Sequence, residues 1–194
     1  DIVLANLEGT ITDFPSVARS DVLRFTFDPS VAAYLKRIGF TTFSLANNHA
    51  HDCGNDGIAQ TRANLAKNGL EFFGSYFNDG SISRIDEVGG MKIGFIGYNA
   101  FGGEGGDRVF DEVRRLDPLT DYVVVMPHWG VEYSRERTLT QQKLAHAWID
   151  VGAECGRSRG PAGYRAALGS PPQEHNLADG RPWFDPSADT LKAW

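Results

Sequence analysis

Short apolar runs alternate with stretches of helical periodicity along the first four fifths of this chain. Ile2–Ala5 reads as a buried strand. The segment "FDPSVAAYLKRIGF" follows with helix signals: Asp28 to cap the first free N–H groups, Pro29 at the tolerated first position, Val31, Tyr34, Leu35 and Ile38 as one apolar face, and Gly39 as the stop. Phe40–Leu45 is the next strand. Asn55–Asn68 has Ile58, Ala59, Arg62, Leu65 and Ala66 at helical spacing and ends at Asn68-Gly69. Phe72-Phe73 opens a short strand, and "MKIGFIGYNA" and "DYVVVMPHWG" give two more, the second running over Tyr122–Met126. "TQQKLAHAWIDVG" predicts a further helix with Leu144, Ala145, Trp148 and Ile149 on one face and Gly152 as its stop. Strands and helices alternating at this spacing imply an α/β architecture with substantial parallel pairing.

Composition narrows the function classes. The chain of 194 residues is 41% apolar, enough for a real core, and its length suits one domain or two. A net charge of −6 without a basic block disfavours a nucleic-acid partner. No apolar run approaches the roughly 18 residues of a membrane helix, and the opening "DIVLANLEG" carries no signal-peptide pattern. That opening reads as a strand already under way, so an anchor or signal could lie upstream. Cys53 and Cys155 are too few and too far apart for a disulfide framework or zinc knuckle and read as ordinary thiols.

The predicted architecture gives the polar clusters a place. In open α/β sheets ligands bind beyond the carboxyl ends of the strands. Ile2–Ala5 runs into Asn6 and Glu8; Phe40–Leu45 runs into Asn47, Asn48, His49, His51 and Asp52; Tyr122–Met126 runs into His128 and Glu132. If the strands are parallel, these groups share one sheet edge. A carboxylate, a carboxamide oxygen and an imidazole suit a borderline divalent ion such as Mn²⁺, Zn²⁺ or Fe²⁺. Each piece also has a plain structural reading. Asn-Asn after a strand is turn chemistry, His49 is a hydrogen-bonded loop histidine, Glu8 a surface carboxylate, and His128-Trp129-Gly130 an aromatic plug. Asp52 orients a neighbour or caps the following helix, and His146 is structural. Convergence of several such groups at strand ends favours one site.

The same residues carry a resemblance. "NLEG", "GFTTFSLANNHAHDCG", "GIAQTRANLAKNGLEFFG", "GGMKIGFIGY" and "VVVMPHWGVEYSRERTLTQQKLAHAWIDVGA" occur in order over about residues 1–153. Together they resemble the bacterial capsule-synthesis CapA family, also called the poly-gamma-glutamate biosynthesis family. The resemblance implies a calcineurin-like metallophosphatase fold, a four-layer α/β/β/α sandwich, with a two-metal centre built from strand-end loops. It implies Glu8 as the bridging carboxylate, Asn47 or, preferably, Asn48 as the amide ligand, His49 as the catalytic histidine and His128 as an imidazole ligand. Glu132 and Tyr133 would support His128, and Asn6, Asn47 and Asp52 would support the site or contact substrate. It also implies a bacterial, cell-envelope setting, with a capsule polymer or phosphoester as substrate and other capsule-synthesis membrane proteins as partners.

The chain departs from the family pattern at both ends. A Gly-Asp pair upstream of "NLE" is not in it, and the expected Gly-x-His-Pro-His segment is replaced by "GAECGRSRGPAGYRAALGSPP". From Cys155 to Pro172 all but three residues are Gly, Ala, Pro, Arg or Ser, which disfavours a strand. Residues 1–154 are therefore expected to form an incomplete CapA-like domain, and 155–194 an atypical tail, either a solvated linker or the product of a shifted reading frame. With two ligand segments missing, one weakly held ion on Glu8, Asn48 and His128 is the most this chain is expected to bind. Two function classes remain open: a metal-dependent hydrolase-type site, and a non-catalytic component that holds or exports capsule polymer and retains a vestigial site.

Overall fold

Two three-stranded sheets lie face to face, each with its own pair of helices. The computed structural model describes residues 1–18, 23–103, 105–131, 134 and 136–153; the expected tail and His175 lie outside the described residues. The elements in chain order are β1 (Leu4–Asn6), β2 (Thr10–Ile11), β3 (Val17–Ala18), β4 (Leu23–Arg24), β5 (Thr26–Phe27), α1 (Ser30–Arg37), β6 (Thr42–Ser44), α2 (Gly54–Lys67), β7 (Glu71–Phe73), β8 (Ser83–Val88), β9 (Met91–Asn99), α3 (Gly106–Leu116), a 3₁₀ turn at Asp117–Leu119, β10 (Tyr122–His128) and α4 (Leu139–Asp150). The first sheet has the order β1-β6-β7, all parallel; the second is β10-β9-β8, with β10 parallel and β8 antiparallel to β9. β2 pairs with β5, and β3 with β4, as small separate ladders.

The layering follows from the two-residue period of a strand whose faces are both covered. On β9, Phe95 stacks on Phe73 of the first sheet at 5.7 Å, and Gly97 faces Ser44, Ala46 and Gly74. The alternate positions turn the other way. Gly94 faces Leu116, and Ile96 and Tyr98 join Val109, Val113, Leu116, Val123 and Trp148 in the core beneath α3 and α4. A second core of Leu7, Ile11, Ala32, Phe43, Leu45, Leu65 and Leu70 fills the space between the first sheet and α1 and α2. The result is the expected α/β/β/α order of layers.

Several expectations shift by a residue or a face. The first strand ends at Asn6 rather than Ala5, and the last runs on to His128 rather than stopping at Met126. Among the described residues β10 is the outer strand of its sheet, a position that tolerates Pro127. α1 starts at Ser30 with Pro29 at the flanking position rather than inside the helix, and Asp28 still accepts the Ser30 N–H at 2.8 Å. α1 buries only part of the expected face, however: Leu35 packs inward as expected and Tyr34 and Ile38 are exposed, while Ala32 takes an inner position because a small side chain lets the helix approach closely. α2 likewise buries Gly57, Thr61 and Leu65, leaving Ala59 and Ala66 outside. Thr61 is inside because its hydroxyl accepts the Ile11 N–H at 3.0 Å and donates to the Gly57 carbonyl at 2.7 Å. β2 to β5, β8, α3 and the 3₁₀ turn are additional to the predicted elements. α3 buries Val109, Val113 and Leu116, with Phe110 partly buried beside them, in a segment otherwise rich in charge. α4 is closed at its start by Thr138 and Gln141, each side chain bonded to the other's backbone N–H.

Two outcomes are expected. A Cβ on Gly97 would stand 2.8 Å from the Ala46 Cβ and 2.9 Å from the Gly74 Cα, and backbone cannot move aside as a side chain can. Gly97→Ala should cost about 2–3 kcal/mol in urea unfolding by forcing the sheets apart. Glu112 accepts both Arg115 Nε and a terminal Arg115 nitrogen, at 2.9 and 2.6 Å, and also the Ser83 hydroxyl. Arg115 first, and then Ser83, hold its carboxyl below the usual range against the opposing effect of burial. A depressed folded pKa means that this stabilisation is complete above the unfolded carboxylate pKa and is lost as pH falls through the folded value. Glu112→Gln should therefore lower stability at neutral pH by up to about 1 kcal/mol, the pair being partly solvated, and the gap to wild type should close in acid melts.

Candidate functional site

The candidate site is built where three strands end, but those strands belong to two sheets. β1 and β6 run in parallel with Asn6 beside Ser44, so the loops that follow them leave side by side. β10 belongs to the second sheet and brings His128 in from across the interface. The expectation of one shared sheet edge is thereby corrected: the groups share the same end of two facing sheets.

Asn47 organises the first two loops. It has no exposed surface, and its side-chain nitrogen donates to Asn6 Oδ1 at 3.0 Å and to the Leu7 carbonyl at 2.8 Å. Its Oδ1 accepts the His49 N–H at 3.1 Å, so one carboxamide satisfies three groups on two loops. Asn6 in turn donates to Glu8 Oε2 at 3.3 Å. Gly9 then turns the chain at φ 134°, with the Phe25 carbonyl 2.9 Å from where a Cβ would be. Only glycine meets both conditions.

Glu8, Asn48 and His128 converge. His128 Nε2 lies 2.6 Å from Asn48 Oδ1 and 4.0 Å from Glu8 Oε1. Burial lowers the proton affinity of His128; Glu8 opposes that shift and the nearby His49 reinforces it. The shift favours the neutral imidazole, whose Nε2 is the atom that meets Asn48. Phe101 packs edge-on against it at 5.8 Å. Glu8 is nearly half exposed, at 45% of its side chain, so this carboxylate faces solvent at the mouth of the group.

His49 forms a second unit beside these three. Its Nδ1 is 2.9 Å from Asp52 Oδ2, and both side chains are largely buried. Asp52 Oδ2 also accepts the Phe25 N–H at 2.7 Å, and the Phe25 ring covers the imidazole at 4.1 Å. Of the two roles open to Asp52, orienting a neighbour is the one observed, since Cys53 rather than Asp52 flanks α2. Phe25 escaped sequence reasoning. The only trace of it is the "RFTF" alternation of β4 and β5, which does not say which loop the residue will meet.

The remaining candidates are dispersed. His51 turns away to Tyr76 and Phe77, each 5.2 Å from its ring centre. Trp129 is the expected aromatic plug, stacked on Trp148 at 5.4 Å and edge-on to Tyr98, while its neighbour His128 serves the polar group. His146 is exposed on α4 and takes no structural role in the core. Cys53 is a free thiol that accepts the Thr10 hydroxyl. Glu132 and Tyr133 lie outside the described residues. Among the described residues no three His, Cys, Asp or Glu side chains cluster closely enough to hold a metal ion by themselves.

Asn47→Ala should be among the most damaging changes here. It leaves the buried Leu7 carbonyl and the partly buried His49 N–H without the Asn47 side chain, a loss of about 2–3 kcal/mol, to be read from urea unfolding.

Comparison with known proteins places these residues in a lineage. The family model described as bacterial capsule synthesis protein PGA_cap matches residues 1–155. The PGA biosynthesis protein CapA of Bacillus subtilis (strain 168) is 28% identical over 172 residues, covering 79% of this chain and 45% of that protein. The capsule biosynthesis protein CapA of Bacillus anthracis is 29% identical over 140 residues, covering 62% and 34%. The chain thus spans less than half the length of these curated relatives. Among solved structures, the NAD nucleotidase NadN of Haemophilus influenzae aligns with 60% of this chain and 26% of its own, at 18% identity and a TM-score of 0.43. A putative 5'-nucleotidase from Staphylococcus aureus aligns with 62% and 28%, at 17% identity and a TM-score of 0.41. On the match over residues 1–155, the chain belongs to the bacterial capsule synthesis protein family PGA_cap.

Proposed function

We propose that this capsule-synthesis domain carries a hydrolase-type site in which Glu8, Asn48 and His128 hold one borderline divalent ion and His49 acts as general acid. The observation that carries this reading is the approach of Glu8 and Asn48 to His128 Nε2 from two loops and a second sheet. Two cis ligands with bonds of about 2.1 Å have donor atoms about 3 Å apart. The observed 2.6 and 4.0 Å bracket that value, so small side-chain rotations would suffice. One imidazole nitrogen, one carboxamide oxygen and one carboxylate oxygen suit Mn²⁺, Zn²⁺ or Fe²⁺ better than a purely hard ion. Such an ion would supply Lewis-acid polarisation of a phosphoryl or carbonyl oxygen.

The chain's own residues account for the rest of the chemistry. Asp52 fixes His49 Nδ1, which leaves Nε2 as the atom that presents a proton to a leaving oxygen. Phe25 over the ring keeps it from rotating and shields the Asp52 contact from water. The low proton affinity of His128 keeps its nitrogen free for an ion at neutral pH. The substrate is proposed to be a phosphoester or the capsule polymer itself, and the partners to be other proteins of capsule assembly. No helix among the described residues is long and apolar enough to cross a membrane.

Calorimetric titration of the 194-residue chain with Mn²⁺ and Zn²⁺ tests the ion, and turnover of a generic phosphodiester tests the acid. One ion per chain is expected, with binding lost in His128→Ala and weakened in Glu8→Ala. His49→Ala should keep the ion but lower turnover by about 10²–10⁴-fold, and Asp52→Asn should lower it less. A folded chain that takes no ion and turns over nothing would overturn this reading in favour of a polymer-holding component.

A further inference from the structure

Five phenylalanines are exposed among the described residues, and three of them pack against a histidine. Phe25 lies over His49 at 4.1 Å, Phe77 is edge-on to His51 at 5.2 Å and Phe101 is edge-on to His128 at 5.8 Å. Their exposures are 39%, 49% and 54%, so each meets an imidazole and still leaves much of its own surface in water. Apolar residues scattered singly over a surface need no explanation. These three are not scattered. They come from three separate segments, and their partners sit in the loop after β6 and at the end of β10, where the candidate site is built.

The backbones that carry these rings are fixed. The Phe25 N–H is bonded to Asp52 at 2.7 Å. Asn78, next to Phe77, accepts the Asn99 N–H at 2.7 Å and donates to the Asn99 carbonyl at 2.8 Å, which joins the loop after β7 to the loop after β9. Phe101 gives its own N–H to the Asn99 side chain at 3.1 Å, and Ala100 gives its N–H to the His128 carbonyl at 3.0 Å. Gly102 is packed so closely that an added Cβ would overlap the Tyr76 carbonyl. Segments held in this way lose little freedom when a ligand covers their rings.

We propose, resting on the site described under the proposed function, that its substrate class is a phosphoester bearing a flat aromatic group, selected by Phe25, Phe77 and Phe101. Small-molecule sites combine a few polar groups with aromatic walls. Here Glu8 with one divalent ion would leave a net positive charge for the anionic phosphorus centre, and the phenyl rings supply contact for the rest of the ester. A phenyl ring pairs best with another ring, edge-on or offset, and gains from it beyond the area covered. A bare polyanion offers these rings no apolar surface, and the chain's net charge of −6 opposes an anionic lipid surface.

The test is calorimetric titration of the full chain, saturated with Zn²⁺, with phenylphosphonate, cyclohexylphosphonate and methylphosphonate. All three carry the same anionic head, and the first two differ in flatness rather than in carbon number. Phenylphosphonate should bind at least about tenfold more tightly than methylphosphonate and about threefold more tightly than cyclohexylphosphonate. Phe25→Leu, Phe77→Leu and Phe101→Leu should each lower the phenyl-to-methyl ratio about threefold, since leucine keeps apolar bulk without the ring. Equal binding of the three, a cyclohexyl preference, or a ratio that survives every leucine variant would overturn the substrate class and leave the ion site standing. A folded chain that takes up no Zn²⁺ would overturn the ion site and this proposal together. A dimer in sedimentation that phenylphosphonate leaves intact and Phe101→Leu abolishes would assign the rings to a second copy instead. Should a leucine variant fail to fold, the order of the three ligands on the wild-type chain decides.

Discussion

The buried carboxamide of Asn47 is the contact on which the candidate site depends. Loops leaving neighbouring parallel strands have no reason to stay together, because the ladder that joined them has ended. Asn47 supplies the join by donating to Asn6 and Leu7 on one loop and accepting from His49 on its own. Glu8 is placed through Asn6, and His49 through its own backbone. The bond to the Leu7 carbonyl is fully buried and the other two are partly so, which makes them more costly to break than exposed equivalents. The adjacent asparagine does something different. Asn48 turns its oxygen to His128 and so connects the loop to the second sheet.

That second connection relies on the spacing of the sheets. Gly97 and Gly74 let the backbones of the facing layers approach, and Ser44 and Ala46 fill the remaining gap with small side chains. Larger residues there would widen the interface, and the 2.6 Å contact between His128 and Asn48 would open. The apolar stack of Phe73 on Phe95 lies along the same interface and resists sliding. Site geometry and core packing are therefore one constraint in this fold. Trp129 illustrates it, since its stacking on Trp148 anchors the strand end at which His128 sits.

Much of this was legible in the chain. The runs at Phe40–Leu45 and Tyr122–Met126 marked strands because continuous apolar sequence suits a strand buried on both faces. Asp28 and Pro29 marked a helix start because capping and proline are local chemistry. α3 was less visible, since four apolar residues among charges make a stripe that only a neighbouring sheet reveals. The inner faces of α1 and α2 were only partly legible, Leu35 and Leu65 turning inward as expected, for a related reason. Sequence periodicity ranks residues by hydrophobicity, whereas close approach selected Ala32, Gly57 and Thr61 by size and hydrogen bonding.

The amino-acid sequence by itself determined the α/β alternation, the strand ends that carry Glu8, Asn48, His49 and His128, and the donor types a borderline ion would meet. These follow from local periodicity, capping and residue chemistry, all of which act within a few positions. Only the tertiary structure decided that the donors come from two sheets, that Asp52 and Phe25 hold His49, and that His51 belongs to an aromatic cluster. Each of those depends on which distant segments the packed sheets bring into contact, and no local pattern encodes a distance across an interface.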